Sequence, residues 1–154
     1  MLAWTAPGIQ SMDEAYAWMA KAAIAELITR YAALNDAGDW DGVAALYTEE
    51  GRMSRPTAPD EFIDGRAAIL AAFRARPPRA ARHIVANVLV TLDSGRDARA
   101  SSQILLFTGV AQAGGPPVQS ATPPWVGTYQ DRLIRTEDGW RFVERRASLD
   151  FRAA

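Results

Sequence analysis

A single histidine, His83, and the absence of cysteine bound the chemistry open to this chain. Without cysteine there are no disulfides, thiol nucleophiles, thiolate metal sites or iron–sulfur clusters. With one histidine, a zinc site built on two or more imidazoles is excluded as well. The sequence contains no GxGxxG, no GxxxxGKS or GxxxxGKT, no GxSxG and no HExxH. It therefore gives no dinucleotide, P-loop, α/β-hydrolase or zincin signal. The expectation is a protein with no metal and no cofactor. What remains is acid–base chemistry on His83, whose ordinary pKa of about 6.5 suits proton removal and return near neutrality.

The segment HIVANVLVTLD reads as a strand rich in Val and Ile. Side chains alternate along a strand, so His83, Val85, Asn87, Leu89 and Thr91 are expected on one face. Ile84, Ala86, Val88, Val90 and Leu92 form the other, wholly apolar face, which should be buried. The mixed face fits the wall of a ligand pocket, apolar with a few orienting polar groups. The plainer alternative is a core histidine satisfied by a backbone carbonyl. Asp36 is the second residue of interest. It falls at the C-terminal end of a helix, where a carboxylate opposes the helix dipole. Exposure to solvent explains that, and so does a buried partner such as an imidazole. Tyr31 lies on the same helix, in the buried stripe Ile24, Leu27, Ile28 and Tyr31.

That helix should start near Ser11 or Asp13 and end at Gly38, after a loose arm over residues 1–11. Asp39 can cap a short second helix, Trp40–Tyr47, broken by Gly51. A short strand, a turn and another extended piece follow. Asp64 is then expected to cap a third helix over residues 66–76, stopped by Pro77 and Pro78. The second half reads as four antiparallel strands, with turns at Ser94-Gly95 and at Glu137-Asp138-Gly139. Helices followed by strands indicate an α+β fold rather than a parallel sheet. Between the second and third of these strands lies GVAQAGGPPVQSATPPW, residues 109–125, longer than most connections. It is either a surface excursion or a lid or oligomer contact carrying Trp125.

The 154 residues make one domain, 1–154, with a core at about 12–151. Seventeen basic residues stand against eighteen acidic ones, and Lys21 is the only lysine. The arginines form no basic block, so neither a nucleic-acid nor a membrane partner is expected. No signal peptide or apolar span is evident, which makes the cytoplasm the default compartment.

Four segments carry a family resemblance: NDAGDWDGVAALYTEEGRM, EFIDGRAAI, RHIVANVLVTLD and GTYQDRLIRTEDGWRFVERR. Over roughly residues 15–151 the chain resembles the SnoaL-like, scytalone-dehydratase-like branch of the nuclear transport factor 2 superfamily. The resemblance implies a cone-shaped α+β barrel, its curved sheet wrapped around helices and an apolar cavity. In the dehydratase-like members an Asp at the end of the first helix orients a strand His. Here the Asp is Asp36, in the setting Asp36-Ala37-Gly38-Asp39-Trp40-Asp41, and the His is His83. Tyr31 matches a tyrosine five residues before that Asp. Arg145 matches an arginine on the last strand, sharing a face with Val143, Ala147 and Leu149; Arg146 is the neighbouring alternative. Three positions depart from scytalone dehydratase. Asn35 stands where a tyrosine precedes the Asp, Ser102 where a second His would fall, and Arg55 near a first-strand tyrosine. These argue for a different substrate and leave the Asp–His pair intact.

The resemblance thus implies a cofactor-free lyase of dehydratase type acting on a small apolar, cyclic or aromatic molecule. His83 would be base and then acid, with Asp36 fixing its tautomer. Tyr31 would donate to a substrate oxygen, and Arg145 would neutralise an enolate. Asn35, Arg55, Val85, Asn87, Ser102 and Leu149 would line the pocket. The alternatives are a ketosteroid-isomerase-like isomerase, an epoxide hydrolase using an Asp–Arg–Asp set, and a non-catalytic subunit like the β subunits of ring-hydroxylating dioxygenases. A homodimer or homotrimer through the outer face of the sheet is expected.

Overall fold

The computed structural model describes residues 12–120 and 123–151, and for Met12 and Asp13 the backbone alone. The expected loose arm over residues 1–11 lies outside the described residues. Helix α1 spans Met12–Ala37 and turns Ala20, Ile24, Ile28 and Tyr31 into the core. Gly38, at φ +70°, ends it, and the Asp39 N–H returns to the Leu34 carbonyl at 3.0 Å. Asp39 then caps α2 (Trp40–Ala45) by accepting the Gly42 N–H at 2.8 Å.

Two expectations fail at the next junction. Helix α2 stops at Ala45, and Tyr47 opens a strand, β1 (Tyr47–Arg55). Gly51 lies within that strand and breaks no helix. A Cβ at Gly51 would meet the Phe142 carbonyl at 2.9 Å, so the glycine allows β1 to approach the last strand. Strand β2 (Ala58–Asp64) returns antiparallel to β1. Asp64 ends β2 and does not cap the third helix. Gly65 does so at φ +89°, with no side-chain cap, and α3 runs Arg66–Arg74.

Four long strands follow: β3 (Ala80–Leu92), β4 (Asp97–Gly109), β5 (Trp125–Thr136) and β6 (Gly139–Phe151). The sheet order is β2-β1-β6-β5-β4-β3. Its β1–β6 pairing is parallel and the rest antiparallel, so the four expected strands belong to a mixed six-stranded sheet. Helix α1 lies along β3, and α3 contacts α2 and β1. Ile69 and Phe73 of α3 join Leu133, Trp140 and Phe142 of the sheet in one apolar core.

A bulge in β3 overturns the simple alternation. Pairing with β4 shifts between Ala86 and Leu89, and Asn87 takes φ +49°. Before the bulge, His83 and Val85 point inward. Beyond it, Val88, Val90 and Leu92 do, since the extra residue reverses the phase. Ile84 and Leu89 are therefore exposed, and the supposedly buried apolar face is split between the two sides. Asn87 turns outward, donates to Gln103 and lines no pocket with His83. Asn87→Val, which forces a β-branched side chain into left-handed backbone, lowers unfolding stability by about 1–2 kcal/mol in urea denaturation. Asn87→Gly does not.

Strand β6 has a similar irregularity. Its register with β5 shifts between Arg132 and Leu133, so Phe142 and Arg145 both face inward. Arg145 keeps Ala147 on its face but loses Val143 as a regular neighbour. Among the described residues no helix is long and apolar enough to cross a membrane.

Candidate active site

The last turn of α1 and the first half of β3 meet at Asp36 and His83. The His83 Nδ1–H donates to Asp36 Oδ1 at 2.6 Å. The His83 backbone N–H also donates to the same carboxylate, at 2.9 and 3.1 Å. Three short contacts fix the imidazole's position and tautomer. The pair is nearly sealed, with side-chain exposures of 9% for Asp36 and 7% for His83. The carboxylate at the helix C-terminus therefore has the buried-partner explanation. The ring's other nitrogen, Nε2, is left for chemistry.

His83 borders two adjoining cavities, of about 170 and 390 Å³, whose linings also share Asn35, Arg76 and Arg79. Tyr31 and Tyr129 face the smaller one. Burial pushes the His83 pKa down; Asp36 pushes it up, and Arg79 and Arg76 push it down again. The net direction is below the ordinary 6.5, so burial outweighs the carboxylate and the imidazole is neutral at pH 7. Burial, with Tyr31 next, holds the Tyr129 phenol above its ordinary value, which keeps it protonated as a hydrogen-bond donor.

The remaining expected site residues divide. Asn35 borders both cavities, and its Nδ2 donates to the Tyr31 carbonyl at 2.9 Å. Arg55 lines the smaller cavity. Val85 points inward but packs on the core. Ser102 is fully buried, and its hydroxyl has no partner among the described residues. Leu149 borders a separate small pocket of about 30 Å³ with Trp125.

Arg145 does not reach either cavity. Its Nε and Nη2 donate to the two oxygens of Asp131, both at 2.7 Å, with the pair 1% and 0% exposed. The rings of Tyr31, Tyr129 and Phe142 surround the guanidinium at 4.2, 4.3 and 4.2 Å. Burial works against the Arg145 charge, but Asp131 overcomes it and holds the pKa above the ordinary value. The role in neutralising an enolate is thus not available to Arg145 in this arrangement. Arg146 is no substitute, since it pairs with Asp60 on the outer side. Asp131 supplies one carboxylate that the epoxide-hydrolase reading requires, yet its side chain is fully buried against Arg145 and lines neither cavity.

Comparison with known proteins places the fold that carries this site. Residues 17–146 match the SnoaL-like domain. The chain belongs to the SnoaL-like domain family. Comparison with curated proteins finds no significant match. Among solved structures, an NTF2-like protein with a cystatin-like fold from Novosphingobium aromaticivorans is 26% identical. It aligns over 96% of this chain and 95% of its own, with a TM-score of 0.70. A candidate scytalone dehydratase from the same organism is 19% identical over 91% of this chain and 93% of its own, with a TM-score of 0.73. The hexachlorocyclohexane dehydrochlorinase LinA, type 2, is 14% identical over 90% of each chain, with a TM-score of 0.75. At these identities the last two show the shared fold.

Sequence reasoning missed Arg76, Arg79 and Tyr129 in this SnoaL-like site, and Asp131 in the buried pair beside it. Arg76 and Arg79 flank the diproline after α3, and the run Arg76-Pro77-Pro78-Arg79 was visible only as a helix stop. Asp131 was legible in principle. It alternates with Tyr129 and Leu133 on an inward face, where a carboxylate requires a cation.

Proposed function

We propose that this SnoaL-like protein is a lyase that uses His83 as a general base, with Asp36 as its positioning partner. The observation that carries the reading is the 2.6 Å contact from His83 Nδ1 to Asp36, reinforced by the backbone N–H and set at a cavity wall. Nε2 takes a proton from an acidic carbon. The C–H electron pair becomes a carbon–carbon double bond as the leaving group departs with its own pair. The imidazolium then returns the proton to a leaving hydroxide, giving water, or to solvent when the group is a halide. The Asp36 charge stabilises the imidazolium while it exists. Tyr129 and Tyr31, which line the smaller cavity with His83, would donate to a substrate carbonyl. The fold neighbours named for dehydration and dehydrochlorination support elimination over isomerisation, in which the proton would return to another carbon.

Solvent-deuterium exchange tests the base even while the substrate is unidentified. A set of small cyclic β-hydroxy and β-halo carbonyl compounds is incubated with the protein in D₂O and followed by NMR. Wild-type protein accelerates exchange or elimination at the acidic carbon, and His83→Ala does neither. Equal rates in the two proteins overturn the assignment.

A further inference from the structure

The cavity at His83 is more cationic than an apolar-substrate site requires. Arg55, Arg76 and Arg79 all line the smaller cavity with His83. Among the described residues, none of the three has a carboxylate within 4.0 Å. Their neighbours differ. Arg74 pairs with Asp41 at 2.8 Å, and Arg82 approaches Asp36 at 4.0 Å. Arg74, which lines only the larger cavity, is thus paired within the protein, whereas the three that line the smaller cavity are not.

Arg76 carries the most weight. It is half-buried, and its guanidinium lies 4.0 Å over the Phe73 ring, which itself stacks on Trp40. That stacking holds the planar group in place. A partly desolvated charge without a counter-ion is costly, and a ligand anion removes the cost. Pro77 and Pro78 stiffen the link to Arg79, and Pro56 follows Arg55, so little ordering is needed on binding. The guanidinium fork suits planar or tetrahedral oxyanions. The rings of Tyr31 and Tyr129, with Met53 and Leu106, offer apolar surface to a carbon skeleton beside the cations.

We propose that the substrate carries an anionic oxygen group, a carboxylate or a phosphate, held by Arg55, Arg76 and Arg79 next to His83. This rests on the reading of the cavity as the site where His83 works. The same arrangement makes binding and protonation interdependent. Burial and the neighbouring Arg79 and Arg55 charges depress the Arg76 pKa, and Arg79 and Arg76 help to depress that of His83. A bound anion offsets those charges and raises the His83 pKa, and protonated His83 in turn strengthens anion binding.

The test follows the His83 imidazole by NMR in the intact chain, where the single histidine removes any assignment problem. Benzoate, inorganic phosphate and the neutral benzamide are titrated separately at low salt. Benzoate, phosphate or both give a saturable shift and raise the His83 pKa; whichever binds names the headgroup. Benzamide binds at least about tenfold more weakly than the preferred anion. Arg76→Gln weakens that anion about 10–100-fold, the scale of a lost charged hydrogen bond. Arg55→Gln and Arg79→Gln, both on exposed segments, weaken it as well and guard against a folding defect in the first variant. The inference is overturned if benzamide binds as well as either anion, if neither anion moves the His83 signal, or if all three variants bind like wild type. It fails alone if neutral compounds turn over through His83 while anions do not bind. The base assignment fails alone if anions bind but His83→Ala exchanges deuterium at the wild-type rate.

Discussion

Asp36→Asn lowers kcat/KM by about 10²–10⁴-fold, the range expected when a positioned acid–base group is disabled. KM changes little, because Asp36 acts through His83 and does not line the smaller cavity, where the substrate anion is placed. The asparagine carbonyl can still accept one hydrogen bond, but the amide cannot provide a second anionic oxygen for the His83 backbone N–H. The imidazole also loses the charge that stabilises its protonated form, so its pKa falls further and the base weakens. The double variant with His83→Ala is no slower than His83→Ala alone, because the two residues act as one unit. Steady-state kinetics on a compound found by deuterium exchange checks this. A purely structural role for Asp36 predicts instead a loss of folded protein, with normal turnover in whatever remains folded.

Arg145→Met has the largest effect on stability. It strands the fully buried Asp131 carboxylate and removes a cation from among three rings. Breaking a buried pair in this way costs about 3–5 kcal/mol, a large part of a domain's total stability. The double variant Arg145→Met with Asp131→Leu recovers most of the loss, since neither charge then remains unpaired. Urea denaturation of both variants measures the difference. A catalytic cation in the cavity would give the reverse pattern, with stability kept and turnover lost. That contrast separates the buried pair from the three arginines of the cavity, whose glutamine variants leave the denaturation midpoint nearly unchanged.

Asp36 and His83 are each conspicuous in isolation, but their pairing came only with the family resemblance, because no local pattern links a helix end to a strand 47 residues on. One is a carboxylate at the wrong end of a helix, and the other is the only imidazole. The helical stripe ending at Tyr31 was legible from its period. The inward face of β3 was not, because strict alternation cannot anticipate an inserted residue. Asn87 at positive φ reverses the phase, so His83 and Val90 face the same side although they are an odd seven positions apart. The short first strands were blurred for another reason. β1 pairs in parallel with the last strand, nearly a hundred residues away, and local pattern carries no trace of that partner. Arg145 was placed on the correct side of the sheet and given the wrong partner. Its counter-ion, Asp131, sits on the preceding strand in direct register with it. The family resemblance implied an apolar cavity, and of the three arginines that line it only Arg55 was among the expected residues. The arginines come from the segment after α3 and from the end of β1, brought there by tertiary packing.

The central claim is that Asp36 holds His83 as a neutral base with Nε2 free. The most direct measurement is ¹⁵N NMR of the His83 imidazole across pH, in wild type and in Asp36→Asn. The account predicts the Nδ1–H tautomer at pH 7, a pKa below 6.5 in the wild type, and a further decrease in the variant. An Nε2–H tautomer, a wild-type pKa above 6.5, or a titration unchanged by Asp36→Asn would contradict it.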